Sequence, residues 1–393
     1  MLYLPKATKK AIGGIRPHKR IHVDKEMTDL SARQKKGYMP HVRLGVRTIG
    51  DGQPAFVIAE MAWSHDGSTE KARKIIRAAA AAKADAINLH ITSMEDYMVP
   101  QYTGGRGRIT AGTHGQYIYD YLCRINLSQE AWKALFAYAR GRRLFISAMC
   151  NDLPSVEFAS QLGPDMYGVH SACLAEEDLL VAVASKQKPV FLKVGGTYLG
   201  EIERAVRLIQ QAGNHDIVLM HGIQNYPTRL EDMHLRYIQS LKQIFGLPVG
   251  FADHVDGGSE LAMVIPLVAV ALGANVIEKH ITHDRRLKGV DFESALDPQG
   301  LKKMVQNLRE VEKAFGSPAA RPLSRAEADY RQSAKKRTVA RNTLEKGEEI
   351  TRDKIVFKRS DDGVYPDESQ YLLGRTVNTK VEKNEAITWD KIS

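Results

Sequence analysis

Between residues 56 and 281 short apolar runs alternate with stretches of helical spacing, and run after run ends in a polar or ionisable residue. The runs occupy 56–60, 86–90, 144–149, 166–170, 190–193, 217–221, 249–254 and 276–280. Helical spacing or composition fills the intervals at 68–83, 128–141, 154–162, 176–185, 199–212, 235–245 and 259–272, and follows the last run at 298–315. Eight strands separated by helices predict an α/β fold, a (β/α)8 TIM barrel, which places its chemistry at the strand C-termini. One interval departs from the pattern. Residues 97–119 are too glycine-rich for a helix and too long for an ordinary strand-to-helix loop, so they read as a functional loop or a surface insertion.

The 393 residues exceed the roughly 250 of a typical barrel, so a further domain is expected. Residues 316–337, with prolines and charges, read as a linker, and beyond them the pattern changes. Residues 344–355 are echoed at 381–392, with Leu344 matched by Val381, Ile350 by Ile387, Asp353 by Asp390 and Ile355 by Ile392. Such an internal repeat predicts a small pseudo-symmetric β domain. The expected organisation is a basic extension at 1–50, a barrel at 51–315, the linker, and a β-rich domain at 338–393.

Of the net charge of +10, an excess of about seven lies in residues 1–40. This arm has few aromatics and no recognisable reader module, so a solvated or subunit-bridging arm is expected and nucleic-acid binding is not. Cys123, Cys150 and Cys173 are odd in number and lack paired spacing, which argues against a disulfide framework or a structural zinc site. No apolar stretch approaches the eighteen or so residues of a membrane span, and a cytoplasmic protein is expected.

Five runs end at or beside a histidine: His90, His170, His221, His254 and His280. One such histidine is commonly structural, but five converging on one rim point to metal or substrate binding, since imidazole is a ready ligand for divalent ions. His254 and His280, on neighbouring strands seven and eight, are the expected metal ligands, with Asp253 and Glu278 beside them to orient the rings or complete the shell. Glu60 ends the first strand, where catalytic or substrate-ordering work and a plain ion pair are both open. Lys193 runs into Val194-Gly-Gly196, a cation followed by exposed backbone N–H groups that suits phosphate or carboxylate. A Schiff-base lysine, as in class I aldolases, and a structural lysine are the alternatives.

Ile58-Ala-Glu60, Ser64-His-Asp-Gly67, His221 through Tyr226-Pro-Thr228, Ala252-Asp-His254, Val276-Ile-Glu-Lys-His280 and Gly289-Val-Asp291 together resemble the sialic acid (N-acetylneuraminate) synthase family from about residue 55 onward. The C-terminal part, with Val356-Phe-Lys-Arg359 and Gly363, is similar to the antifreeze-like (SAF) domain that follows the barrel in that family. The resemblance implies condensation of phosphoenolpyruvate with an N-acetylated amino-sugar aldehyde, giving a nine-carbon 2-keto sugar acid and phosphate. It implies Mn2+ or Mg2+ on His254 and His280, a catalytic role for Glu60, and Asp291 and Tyr226 at positions that contact the sugar, with Asp291 counted among the catalytic residues. The strand ends themselves add Lys193 as a catalytic candidate and His90, Ser147, His170, Ser171, His221 and Gln224 as candidate substrate contacts. A domain-swapped homodimer, in which Arg359 reaches sugar in the partner's barrel, is also implied.

The chain departs from the family around the donor. Asn88-Leu-His-Ile91 stands where a Lys-Phe-Gln-Thr motif is expected, Ser147-Ala-Met149 replaces Ser-Thr-Pro, Gly168-Val-His-Ser171 replaces Lys-Ile-Gly-Ser, and Ala252 replaces a serine. Each lost charge-assisted contact is worth about 1.5–3 kcal/mol. Compensation comes from Lys193-Val-Gly-Gly196, similar to the Leu-Lys-x-Gly of deoxy-heptulosonate and deoxy-octulosonate phosphate synthases, with Arg106 and Arg108 in the glycine-rich loop as further cations. A Schiff-base pyruvate aldolase, a metal-dependent hydrolase and a degenerate synthase kept as a sugar-acid binder are the competing readings.

Overall fold

The computed structural model describes residues 41–102, 118–316 and 320–393. It forms two compact units that divide between Phe315 and Gly316. In the first, a hairpin of β1 (His41–Leu44) and β2 (Arg47–Gly50) precedes eight parallel strands: β3 (Phe56–Glu60), β4 (Ala86–Ile91), β5 (Phe145–Cys150), β6 (Met166–Val169), β7 (Val190–Lys193), β8 (Ile217–His221), β9 (Val249–Asp253) and β10 (Val276–His280). They close in sequence order, with β10 pairing β3 so that His280 lies opposite Glu60. The TIM barrel expected from the sequence is therefore present.

Helices occupy every interval in which helical spacing was read, and their ends carry the expected local chemistry. Ser68 and Ser128 cap helices Thr69–Ala81 and Gln129–Gly141, each side chain accepting a backbone N–H of the first turn. Asp152 caps Leu153–Leu162, which stops at Gly163 in the left-handed region.

Two apolar cores follow from strand alternation. Outward residues such as Val57, Ile87, Leu192 and Ile277 pack against the helices, while inward Phe56, Ile58, Phe191, Met220 and Val276 fill the barrel's N-terminal half together with Val42, Leu44 and Ile49 of the hairpin. Residues 41–50, read as part of the basic extension, thus seal the barrel floor. The signal was the alternation of buried Val42 and Leu44 with exposed His41 and Arg43, turned at Gly45 with φ +56°. Among the described residues no helix is long and apolar enough to cross a membrane.

In the second unit the stretch read as a linker contains helix Arg325–Ala334, started by a reciprocal cap between Ser324 and Glu327. Strands β11 (Lys336–Ala340) and β12 (Ile355–Arg359) pair antiparallel. Matching positions of the repeat, Leu344 with Val381, Ile350 with Ile387 and Ile355 with Ile392, are all buried in one core, and Leu344 bridges Val381 directly.

Candidate active site

Alternation decides which strand-end residues reach the barrel mouth. Glu60, His90, His170, Lys193, His254, Glu278, His280 and Asp291 line one small cavity of about 30 Å3 at the C-terminal end, with Gln224, Tyr226 and Met149. The Glu60 carboxylate accepts from the Ala62 backbone N–H at 2.7 Å and from Asn88 Nδ2 at 2.5 Å, and lies 3.3 Å from His90 Nε2. Burial works to raise its pKa, but the charge and hydrogen bond of His90, with His280 and Lys193, outweigh that and hold the carboxyl well below the usual range. Across the barrel Lys193 and Glu278 form a buried ion pair; burial pushes the Glu278 carboxyl up, against the pull of Lys193.

His254 and His280 stand with ring centroids 5.2 Å apart, and the edge of Tyr226 meets both, at 4.7 and 5.4 Å. Burial drives both imidazoles toward the neutral form: His280 is lowered to about 3, and His254 falls well below its usual value. Their Nδ1 atoms are buried without a hydrogen-bond partner. Neutral rings with unsatisfied nitrogens fit a divalent ion that takes two protein ligands and completes its shell with water and substrate oxygens. Among the described residues no three His, Cys, Asp or Glu side chains gather as a metal-binding group. The Tyr226 hydroxyl donates to Gln224 at 2.6 Å, and Gln224 bonds in turn to His170, whose pKa burial lowers to about 4.

A second cavity of about 230 Å3 adjoins the first and shares His90, His170, Tyr226 and Asp291 with it. Its further walls include Trp63, Tyr97, Tyr121 and Asn151. Asp291 reaches both cavities from a backbone at φ +59°, a region aspartate tolerates better than most residues.

Several expectations are corrected. His221 has the parity of Leu219 and points out of the barrel, where its Nε2 bonds the Met233 carbonyl at 2.8 Å and its ring packs on Tyr237 and Phe251. It is a satisfied structural histidine. Asp253 and Glu278 do not orient imidazoles: Asp253 pairs with Lys279 at 2.9 Å on the barrel's outer side, and Glu278 serves Lys193. Ser147 points inward but lies one layer lower, in register with Asn88, and Ser171 sits half-buried in the turn after β6. Neither is among the described residues lining these cavities. The expectations for the arginines are not among these corrections: Arg359 is an exposed residue of β12 in the other unit, and Arg106 and Arg108 lie outside the described residues. Sequence reasoning missed Asn88 as the partner of Glu60 and Glu278 as the partner of Lys193. Each showed itself only as a polar residue in an apolar run.

Barrel, rim cluster and C-terminal repeat domain define a TIM-barrel protein with its chemistry at the strand C-termini and a SAF domain, whose family model matches residues 338–393. The chain belongs to the NeuB family, whose model matches residues 75–320. It is 33% identical to an uncharacterized protein of Methanocaldococcus jannaschii over 90% of this chain and 99% of that one. It is 27% identical to the N,N'-diacetyllegionaminic acid synthase of Legionella pneumophila over 88% and 97%. The crystal structure of N-acetylneuraminic acid synthetase from Leptospira borgpetersenii in complex with citrate superposes with a TM-score of 0.65 at 28% identity, covering 75% of this chain and 98% of that one.

Proposed function

We propose that this chain condenses phosphoenolpyruvate with an N-acetylated amino-sugar aldehyde to give a nonulosonic acid and phosphate. The observation that carries the reading is the convergence of Glu60, Lys193, Glu278, His90, His170 and the His254–His280 pair on one cavity in a fold whose relatives include named synthases of such acids. In the reaction, C3 of the enol forms a bond to the aldehyde carbon, water adds at C2, and the C2–O bond to phosphate breaks.

Lys193 binds the donor's anionic end, helped by His90, and Glu278 holds the lysine in place between turnovers. An ion-paired lysine is a cation for an anionic donor rather than the free amine a Schiff base needs, which weighs against the aldolase reading. Glu60, held ionised, is a poor proton donor near neutral pH; its task is to stabilise positive charge developing at C2 and to orient the attacking water. Asp291 and Tyr226, common to both cavities, face the acceptor. His254 and His280 would hold a divalent ion, Mn2+ or Mg2+, which supplies Lewis-acid polarisation of the aldehyde when bound. The assembly that goes with this reading is a homodimer in which Arg359 serves the partner's acceptor site.

Mass spectrometry of a reaction with phosphoenolpyruvate, a divalent ion and N-acetylated amino sugars tests the proposal. The expected product carries the sugar plus a three-carbon keto acid. A borohydride-trapped pyruvate adduct on Lys193 in place of that product would establish the aldolase instead.

A further inference from the structure

The ladder between β9 and β10 ends just short of the His254–His280 pair. Lys279 opposite Asp253 is its last register pair, and His254 lies beyond the end of β9. On the outer side of the barrel wall Asp253 and Lys279 form an ion pair at 2.9 Å, with both side chains wholly buried. Both members also hold Val255. Its N–H donates to Asp253 Oδ1 at 2.9 Å, and its carbonyl accepts from Lys279 Nζ at 3.2 Å. His254 is thus fixed between two residues gripped by the same pair, while its own carbonyl accepts from the Thr228 N–H at 2.8 Å and from Ser294 Oγ at 2.7 Å. Lys279 in turn directly precedes His280, whose carbonyl accepts from the Leu296 N–H at 2.8 Å.

To join two strands a buried ion pair is not needed, because apolar side chains of similar volume often do so equally well and without the desolvation of two charges. What the charges add is direction, since charge-assisted hydrogen bonds to backbone groups favour a narrow range of distance and angle. We infer that Asp253 and Lys279 are positioning residues for the divalent-ion site, setting the separation of the His254 and His280 rings through the backbone from the far side of the barrel wall. The inference rests on the reading of these two histidines as metal ligands. Groups that orient a ligand without touching the metal are worth roughly tenfold to a hundredfold in metal affinity.

Mn2+ alone, titrated calorimetrically into the full-length protein without substrates, reads the site independently of turnover. Two double variants remove the pair without stranding a charge. Asp253→Leu/Lys279→Met abandons both bonds to Val255, and Asp253→Asn/Lys279→Met keeps an oxygen for the Val255 N–H. The first is expected to bind Mn2+ more weakly by roughly tenfold or more and the second by a smaller factor, with urea midpoints of both close to that of the parent. Parent-like affinity in the first variant, folded, would show the pair to be a structural link only and would overturn the inference. Should the first variant not fold, the second decides: weakened binding supports the inference and parent-like affinity overturns it. A parent that binds no Mn2+, or binds it as well after His254→Leu, sinks the metal reading and this inference together. Binding that depends on His254 but not on the ion pair sinks this inference alone.

Discussion

At the residue scale the site rests on two buried charge arrangements, and each gives a measurable consequence. Replacing Lys193 by Met strands the Glu278 carboxylate in the barrel, and urea denaturation should show a loss of about 3–5 kcal/mol. Adding Glu278→Leu should recover most of that stability and none of the activity, because the donor's cation is still gone. If the single variant were as stable as the parent, the ion pair would not exist in solution. Asn88→Leu removes a hydrogen bond to an ionised carboxylate, worth about 1.5–3 kcal/mol, so kcat should fall by roughly tenfold to a hundredfold with little change in KM. How legible these residues were depended on parity. Lys193 shares the inward side with Phe191 and was readable as functional, whereas His221 was assigned to the rim because the residues before it in its strand, from Ile217 to Met220, are all apolar. A strand buried on both faces shows no alternation, so the sequence does not say which side its last residue takes.

At the scale of elements, the strands and helices were legible because each carries its own period and caps. The floor hairpin and helix Arg325–Ala334 were passed over because the basic arm and the proline-rich, charged surroundings masked short local signals. The β7 end shows why the glycine turn after Lys193 is structural as well as chemical. A Cβ on Gly195 would sit 1.8 Å from the Gly222 carbonyl oxygen, backbone that cannot yield without displacing β8. Gly196, at φ +75° with open space around it, would meet only backbone strain. Gly195→Ala is therefore expected to destabilise by about 3 kcal/mol or more, and Gly196→Ala by about 1–2 kcal/mol. Thermal unfolding of the two variants side by side checks the order; equal losses would contradict the close approach.

At the scale of the whole molecule, the barrel was readable from its repeated strand ends and the second unit from its internal repeat. The pairing of buried charges across the barrel was not, since it depends on closure bringing β7 opposite β10. Burying several neutral histidines also sets the response to pH. Burial lowers His65 and His170 to about 4 from an ordinary value of 6.5. Between those values the unfolded chain binds protons that the folded chain refuses, so this stability is fully present above pH 6.5 and is lost as pH falls toward 4. Urea midpoints should fall steadily from pH 7 to pH 5, and a flat profile would mean that these rings are not buried neutral. The most direct test of the central claim is inorganic phosphate release from phosphoenolpyruvate, with and without amino sugar and divalent ion, by the parent and by the Lys193→Met/Glu278→Leu protein. Release that requires sugar and metal and disappears in the folded double variant is the expected result. Release that survives in the double variant, or no release from the folded, metal-loaded parent with any amino sugar, would contradict a donor site built on Lys193.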